Sequence, residues 1–488
     1  MTTDPADFDA VTARRLIGRK ALSPVDLAEA CLARIDALDP AVNAVVAMDR
    51  EGLLAAARQA ETAVQRGAPL PPLHGLPLLV KDMEDVAGLP TTRGSPLFAN
   101  HRAAGDTPLV AACRAAGALP FAKTNVPEFA AGANTANPVH GATGNAHDPT
   151  RSAAGSSGGS AVGLACGMAP LATGSDLGGS LRIPAAYNGV TGFRPSPGLV
   201  PDPDRAHGLL PLWTSGAMAR SVPDLALLLS VMARHDARDP FSWADDGTRH
   251  ALADLPRRDL SGLRVAVTPD FGFAPTSREV RALFDRATAA LAPHFATVDT
   301  AHPDSREANR IFSVLRAVTF LTDFPQRVAR FPDAVGPNVT ANVREGQGYA
   351  AADVAEALHL QSRFARRWHD FFAEWDLLLS PVVALQPQAL SAPPPSEIDG
   401  APLGTYYGWL GQAYAVTVAG HPAVSIPCGR DADGLPFGLQ IVGPRRGDVD
   451  LLACAAEIAR VIAGDADLRV PAPDFERLRA ARSLRPPP

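Results

Sequence analysis

The segment Ser152–Ser180, SAAGSSGGSAVGLACGMAPLATGSDLGGS, holds eight glycines, six serines and one charged side chain, Asp176. Glycine at this density costs backbone entropy, so a folded chain keeps it where the backbone turns sharply or approaches something closely. Serines set among those glycines gather hydroxyls and bare N–H groups in one place. That combination suits attack on a carbonyl carbon and a cradle for the resulting oxyanion. The basic residues sharpen the point. Of 45, only Lys20, Lys81 and Lys123 are lysine, and the rest are arginine. A retained lysine points to a task arginine cannot perform, and losing a proton is the obvious one. Lys81 ends the apolar run Leu78-Leu79-Val80, where desolvation would lower its pKa.

Composition bounds the class. With 488 residues, 46% hydrophobic and 20% charged, the chain can bury a large core. A net charge of −6 and no basic run longer than a pair such as Arg445-Arg446 argue against a nucleic-acid partner. The five cysteines (Cys31, Cys113, Cys166, Cys428, Cys454) are scattered without C-x-x-C spacing, as expected of reduced, buried thiols in the cytoplasm. The opening MTTDPADFDA is acidic and has no apolar signal region. Ser152–Ser175 is uncharged, but its serines, glycines and Pro170 make it too polar for a membrane span. A soluble, cytoplasmic protein is expected, with no membrane or nucleic-acid partner.

Apolar runs alternate with helical patterns along the chain. Leu76–Val80, Ala118–Ala122, Met168–Thr173, Leu263–Val267, Leu377–Leu379, Val424–Ile426 and Phe437–Val442 read as strands. The first 70 residues look helical: Ser23-Pro24-Val25-Asp26 opens one helix, and a second runs from about Glu51 to Arg66 and stops at Gly67. Further helices are expected near 106–116, 157–166, 222–233, 278–292, 351–375 and 449–462. Continuous apolar strands between helices imply an α/β fold, one large domain whose mixed, twisted sheet is covered by helices on both faces. The Pro-rich piece Gln386–Pro402 reads as a flexible surface excursion. Tyr349, Tyr406, Tyr407, Tyr414, Trp368, Trp375 and Trp409 cluster late in the chain, either as core packing or as the wall of a substrate pocket.

The Gly/Ser segment is not a P-loop, since no Gly-Lys-Ser/Thr follows at the required spacing. Gly155-Ser156-Ser157-Gly158-Gly159 fits the G-x-S-x-G elbow, but His147-Asp148-Pro149-Thr150-Arg151 cannot be the strand an elbow needs before it. A purely structural loop and a serine nucleophile served by lysine remain. Histidine offers no competitor: no H-E-x-x-H or other metal-ligand spacing occurs, and no dinucleotide fingerprint lies between a strand and a helix. Neither a metal nor a cofactor is expected. Lys123 also follows an apolar run, and at a strand end such a lysine usually pairs with an acid or carbonyl.

Lys81 in Val80-Lys81-Asp82, the block Gly155–Ser160 and the run Gly174–Ala185 resemble the defining segments of the amidase signature family. Spacing agrees, with Lys81 75 positions before Ser156. Matching pieces extend to Ala419–Pro427 and Gly434–Gln440, so the resemblance covers essentially the whole chain, 1–488, with a signature core at about 75–200 and a variable substrate-pocket region at about 300–415. It implies that Ser180 is the nucleophile and that Ser156, in a cis peptide, relays protons between it and Lys81. The N–H groups of Leu177, Gly178, Gly179 and Ser180 would form the oxyanion hole, with the paired glycines clearing room for the substrate carbonyl. Backbone at Ala130 to Gly132 would line the acyl site, while Ser157, Asp176 and Arg182 brace the loops. Ala154, Ser175 and Thr417 depart from the family's usual Gly, Thr and Asn. The implied activity is hydrolysis of a small-molecule amide, hydrophobic or aryl, and a homodimer stays open. Two other readings stand beside it: the glutaminase subunit of a glutamyl-tRNA amidotransferase, and a catalytically idle scaffold.

Overall fold

The computed structural model describes residues 4–485. Eleven strands form one sheet in the order Val45–Met48, Leu119–Thr124, Pro77–Lys81, Leu171–Asp176, Thr214–Ala219, Thr191–Arg194, Ala423–Arg430, Pro436–Val442, Leu377–Pro381, Arg264–Val267, Thr297–Thr300. The sheet is mixed. Pro77–Lys81 pairs in parallel with both its neighbours, as does Arg264–Val267, whereas the strands between these two are joined antiparallel.

All seven expected strands are present. Four short or atypical strands were not legible: Val45–Met48, Thr191–Arg194, Thr214–Ala219 and Thr297–Thr300. Two have only four residues at the sheet's edges, and Thr-Ser-Gly-Ala-Met-Ala carries no aliphatic β-branched residue, so sheet pairing overrides its weak propensity. The long helix Ala351–Phe371 ends four residues before Trp375. Three helices between 308 and 347 and the helix Arg182–Asn188 also went unread.

Helices cover both faces because the strands alternate large apolar side chains to either side. Leu78, Val80, Leu377, Leu379, Phe437 and Leu439 pack with the helices Val222–Met232 and Asp448–Gly464. On the other face Leu79, Ala122, Ala172 and Met218 meet the helices Pro24–Val42 and Gly158–Ala165. Leu378, Ala423 and Val442 meet the helices Ala308–Phe320, Ala351–Phe371 and Gly411–Ala419. Lys81, in phase with Leu79, therefore faces the helix grown from the Gly/Ser segment. Glycine lets that helix lie close: a Cβ on Gly159 would stand 2.3 Å from the Asn125 nitrogen.

The Pro-rich excursion is tied down rather than free. Leu390 N–H donates to the Thr150 carbonyl at 2.7 Å, Ser152 N–H to Gln388 at 2.8 Å, and a small hairpin pairs Glu397–Ile398 with Ala401–Pro402. No helix among the described residues is long and apolar enough to cross a membrane.

Candidate active site

Lys81 stands at the C-terminal end of the buried strand Pro77–Lys81 and is itself fully buried. Its Nζ lies 2.7 Å from Ser156 Oγ and 2.8 Å from Ser175 Oγ. Burial pulls its pKa down to about 7, against the opposing pull of Asp176 and Glu84. Ser175 comes from the neighbouring strand Leu171–Asp176; by sequence it stood out only as a departure from pattern. The Gly155–Ser156 peptide bond is cis, and the turn before it is braced by Thr135, whose N–H and hydroxyl both donate to the Ala154 carbonyl.

Ser156 and Ser180 line one cavity of about 320 Å³. Among the described residues no hydrogen bond joins their hydroxyls. Their loops are tied instead by Ser157 N–H donating to the Ser180 carbonyl at 3.2 Å. Ser157 Oγ sits under this joint, 3.4 Å from the Ser175 nitrogen, and does not line the cavity.

The loop Leu177–Leu181 is shaped from beneath by Asp176. Gly179 N–H donates to its Oδ1 at 2.8 Å and Leu181 N–H to its Oδ2 at 3.3 Å. Arg182 grips the same carboxylate with two 3.0 Å bonds and reaches on to the Ala413 carbonyl, Gln440 and the hydroxyl of Thr417. Arg194 binds the Asp176 carbonyl at 2.7 Å. Burial works against the charge on Asp176, but Arg182, Arg194 and Gly179 N–H outweigh it and hold its pKa below the usual carboxylate range.

The backbone N–H groups of the Leu177–Ser180 loop divide. Gly179 N–H is engaged by Asp176 and does not line the cavity, whereas Leu177, Gly178 and Ser180 do. The glycines also serve packing: Gly179 has φ +113° and its Cβ would strike Ile183 and Ala413, while one on Gly178 would stand 3.0 Å from Phe312. Ala130 and Gly132 line the cavity. Lys123 lies outside it, in a buried pair with Asp82 at 2.9 Å and hydrogen-bonded to Thr91.

The late aromatic cluster divides. Tyr406 and Tyr407 line the cavity. Trp409 instead stacks on Tyr187, Trp368 on Phe271 and Phe364, and Tyr414 on Phe312 at 4.4 Å. Phe372 packs on His421 and Trp375 on Phe371, away from the cavity. Trp213 is among the cavity aromatics that sequence missed, with Phe129, Phe312, Phe320 and Phe324, and its ring lies 6.0 Å from Lys81 Nζ. It follows the charged loop Asp202-Pro203-Asp204-Arg205, where nothing in the pattern singles out a pocket residue.

A mixed α/β sheet whose Gly/Ser loop meets a buried lysine is the framework of the amide hydrolases that bear the amidase signature. The sequence matches the Amidase family over residues 26–452, and the chain belongs to that family. It is 34% identical over 448 residues to an acylamidase of Rhodococcus erythropolis, covering 90% of this chain and 92% of that one. It is also 34% identical over 477 residues to a glutamyl-tRNA(Gln) amidotransferase subunit from Azoarcus sp. (strain BH72), covering 91% and 95%. A solved bacterial aryl acylamidase of the amidase signature enzymes superposes with TM-score 0.86 at 26% identity, covering 97% of this chain and 99% of the other.

Proposed function

We propose that the protein hydrolyses the C–N bond of small apolar or aryl amides through an acyl-enzyme on Ser180. The observation that carries the reading is the 2.7 Å contact of a fully buried lysine with Ser156 at the cavity that Ser180 also lines. Neutral Lys81 donates to Ser175 and accepts the Ser156 proton. Ser156 in turn takes the proton from Ser180 as that oxygen attacks the carbonyl carbon. The N–H groups of Leu177, Gly178 and Ser180 receive the oxyanion. On collapse the relay returns the proton to the leaving nitrogen, and the amine departs. Water then adds to the acyl-enzyme by the same relay, releasing the acid and restoring Ser180. Asp176 and Arg182 position the loop without touching substrate.

The walls Leu177, Ile183, Leu212, Trp213 and Phe312 favour an apolar body. The acylamidase and aryl acylamidase relatives support the same preference. Relatives that are amidotransferase subunits keep glutaminase as a second reading. A fluorophosphonate probe followed by peptide mass spectrometry is expected to place the adduct on Ser180. Ser180→Ala is expected to keep the fold and lower turnover by about three or more orders of magnitude. Labelling of Ser157, or retained turnover, overturns the assignment. A higher kcat/KM for glutamine than for benzamide would give the amidotransferase reading precedence.

A further inference from the structure

The wall of the cavity away from Lys81 carries charge that the acyl-transfer chemistry leaves unused. Arg93, Arg316 and Arg327 all line it. Arg316 is only 6% exposed, and its guanidinium donates to two neutral groups, Asn342 Oδ1 and the Tyr406 hydroxyl. It lies 4.5 Å from the centroid of the Tyr407 ring and 5.2 Å from that of Phe320. Phe320 packs against Phe324, which in turn lies under Arg327. Arg327 and Arg93 both lie over the ring of Phe98, at 5.4 and 4.9 Å from its centroid, and Arg93 Nε is buried with no hydrogen-bond partner.

Among the described residues none of these three arginines forms an ion pair, although carboxylates are close at hand. Asp202, Asp204 and Asp323 line the same cavity, and Glu345 is taken up by the hydroxyls of Tyr407 and Tyr349. The fourth arginine of the cavity, Arg205, is paired with Asp239 at 3.3 Å. A buried guanidinium costs free energy unless an anion meets it. One stacked on rings and held by neutral acceptors keeps donors free for a planar, bidentate anion.

We propose that this wall is a carboxylate subsite, so that the preferred amide is amphipathic: an apolar or aryl body along Trp213 and Leu212, and a carboxylate held by Arg316 with Arg93 and Arg327. The inference rests on the amide hydrolase reading of the same cavity and narrows its substrate class.

Two substrate pairs test it: 4-carbamoylbenzoate against 4-methylbenzamide, and N-acetyl-4-aminobenzoate against 4-methylacetanilide. In at least one pair the carboxylate member is expected to have the higher kcat/KM by about tenfold, the scale of one charge-assisted hydrogen bond. Arg316→Gln should lower the carboxylate member about tenfold more than its neutral partner, chiefly through KM. Arg327→Gln, at a partly exposed position, provides the same comparison should Arg316→Gln fail to fold. Preference for the neutral member in both pairs, or equal losses within each pair, overturns the subsite. Calorimetric titration of unreacted protein with benzoate separates this from failure of the hydrolase reading. If no amide is cleaved, benzoate binding that weakens about tenfold in the arginine variant still supports the subsite, and binding that is absent or unchanged refutes it.

Discussion

In the proposed relay Lys81 carries the acid–base chemistry because of where its strand leaves it. A lysine amine titrates near 10.4 in water, and enclosing it without a carboxylate partner favours the neutral form. Burial brings Lys81 to about 7. With the neutral amine as the proposed base, kcat/KM should rise as pH climbs through about 7 and level off above it. Arginine keeps the charge and gives up no proton at a workable pH. Lys81→Arg is therefore expected to be nearly as damaging as Lys81→Ala. Retention of a tenth of wild-type turnover by Lys81→Arg would make Lys81 an electrostatic residue only. The scarcity of lysine made this position visible in the sequence, whereas Ser175, which holds the amine from the other side, was visible only as an oddity.

At the scale of elements, the Leu177–Leu181 loop hangs on one carboxylate. Asp176 ends its strand with no exposure, receives Gly179 and Leu181 N–H, and is gripped by Arg182 from the following helix. Removing one partner of a buried ion pair leaves the other charged and unpaired, at a cost of about 3–5 kcal/mol. Asp176→Asn should lower stability on that scale in urea unfolding and reduce turnover because the Leu177–Ser180 loop loses its support. Full activity with unchanged stability would refute the bracing role. The sign with pH follows from the lowered pKa of Asp176. Its contribution is complete above the unfolded carboxylate value near 4 and is lost as pH falls through the lower folded value. Sequence placed Asp176 and Arg182 next to the loop as braces. It gave no hint of Arg194, Gln440 or Ala413, which converge from distant strands and helices.

Over the whole molecule, the cavity is a meeting of segments: the loops around Ala130, Ser156 and Ser180, the stretch from Asp202 to Trp213, and the helices and turn between Phe312 and Leu410. Aromatics of these segments do two jobs, and a pair of variants separates them. Trp213→Ala should weaken aryl amides about tenfold more than acetamide, the worth of one aromatic contact. Trp409→Ala removes a ring stacked on Tyr187 in the core and should cost about 3–5 kcal/mol of stability while affecting large and small amides alike. Selective loss of large substrates in Trp409→Ala would return that ring to the pocket.

Local pattern determined much of this protein. Fully buried strands wrote themselves as apolar runs, a capped helix announced its start at Ser23, and the Gly/Ser segment with Lys81 pointed to the place where the two meet in the fold. These are signals that a strand, a cap or a close-approach glycine imposes on its own few residues. Tertiary structure decided the rest. Edge strands of four residues owe their form to the neighbour they pair with, and the choice of Tyr406, Tyr407 and Trp213 over Trp409 and Trp368 as cavity wall depends on how three separate segments pack. Arg316 is the clearest case. In sequence it is one arginine among many, and only its burial against Tyr407, held by neutral acceptors and without an ion pair among the described residues, makes it a site.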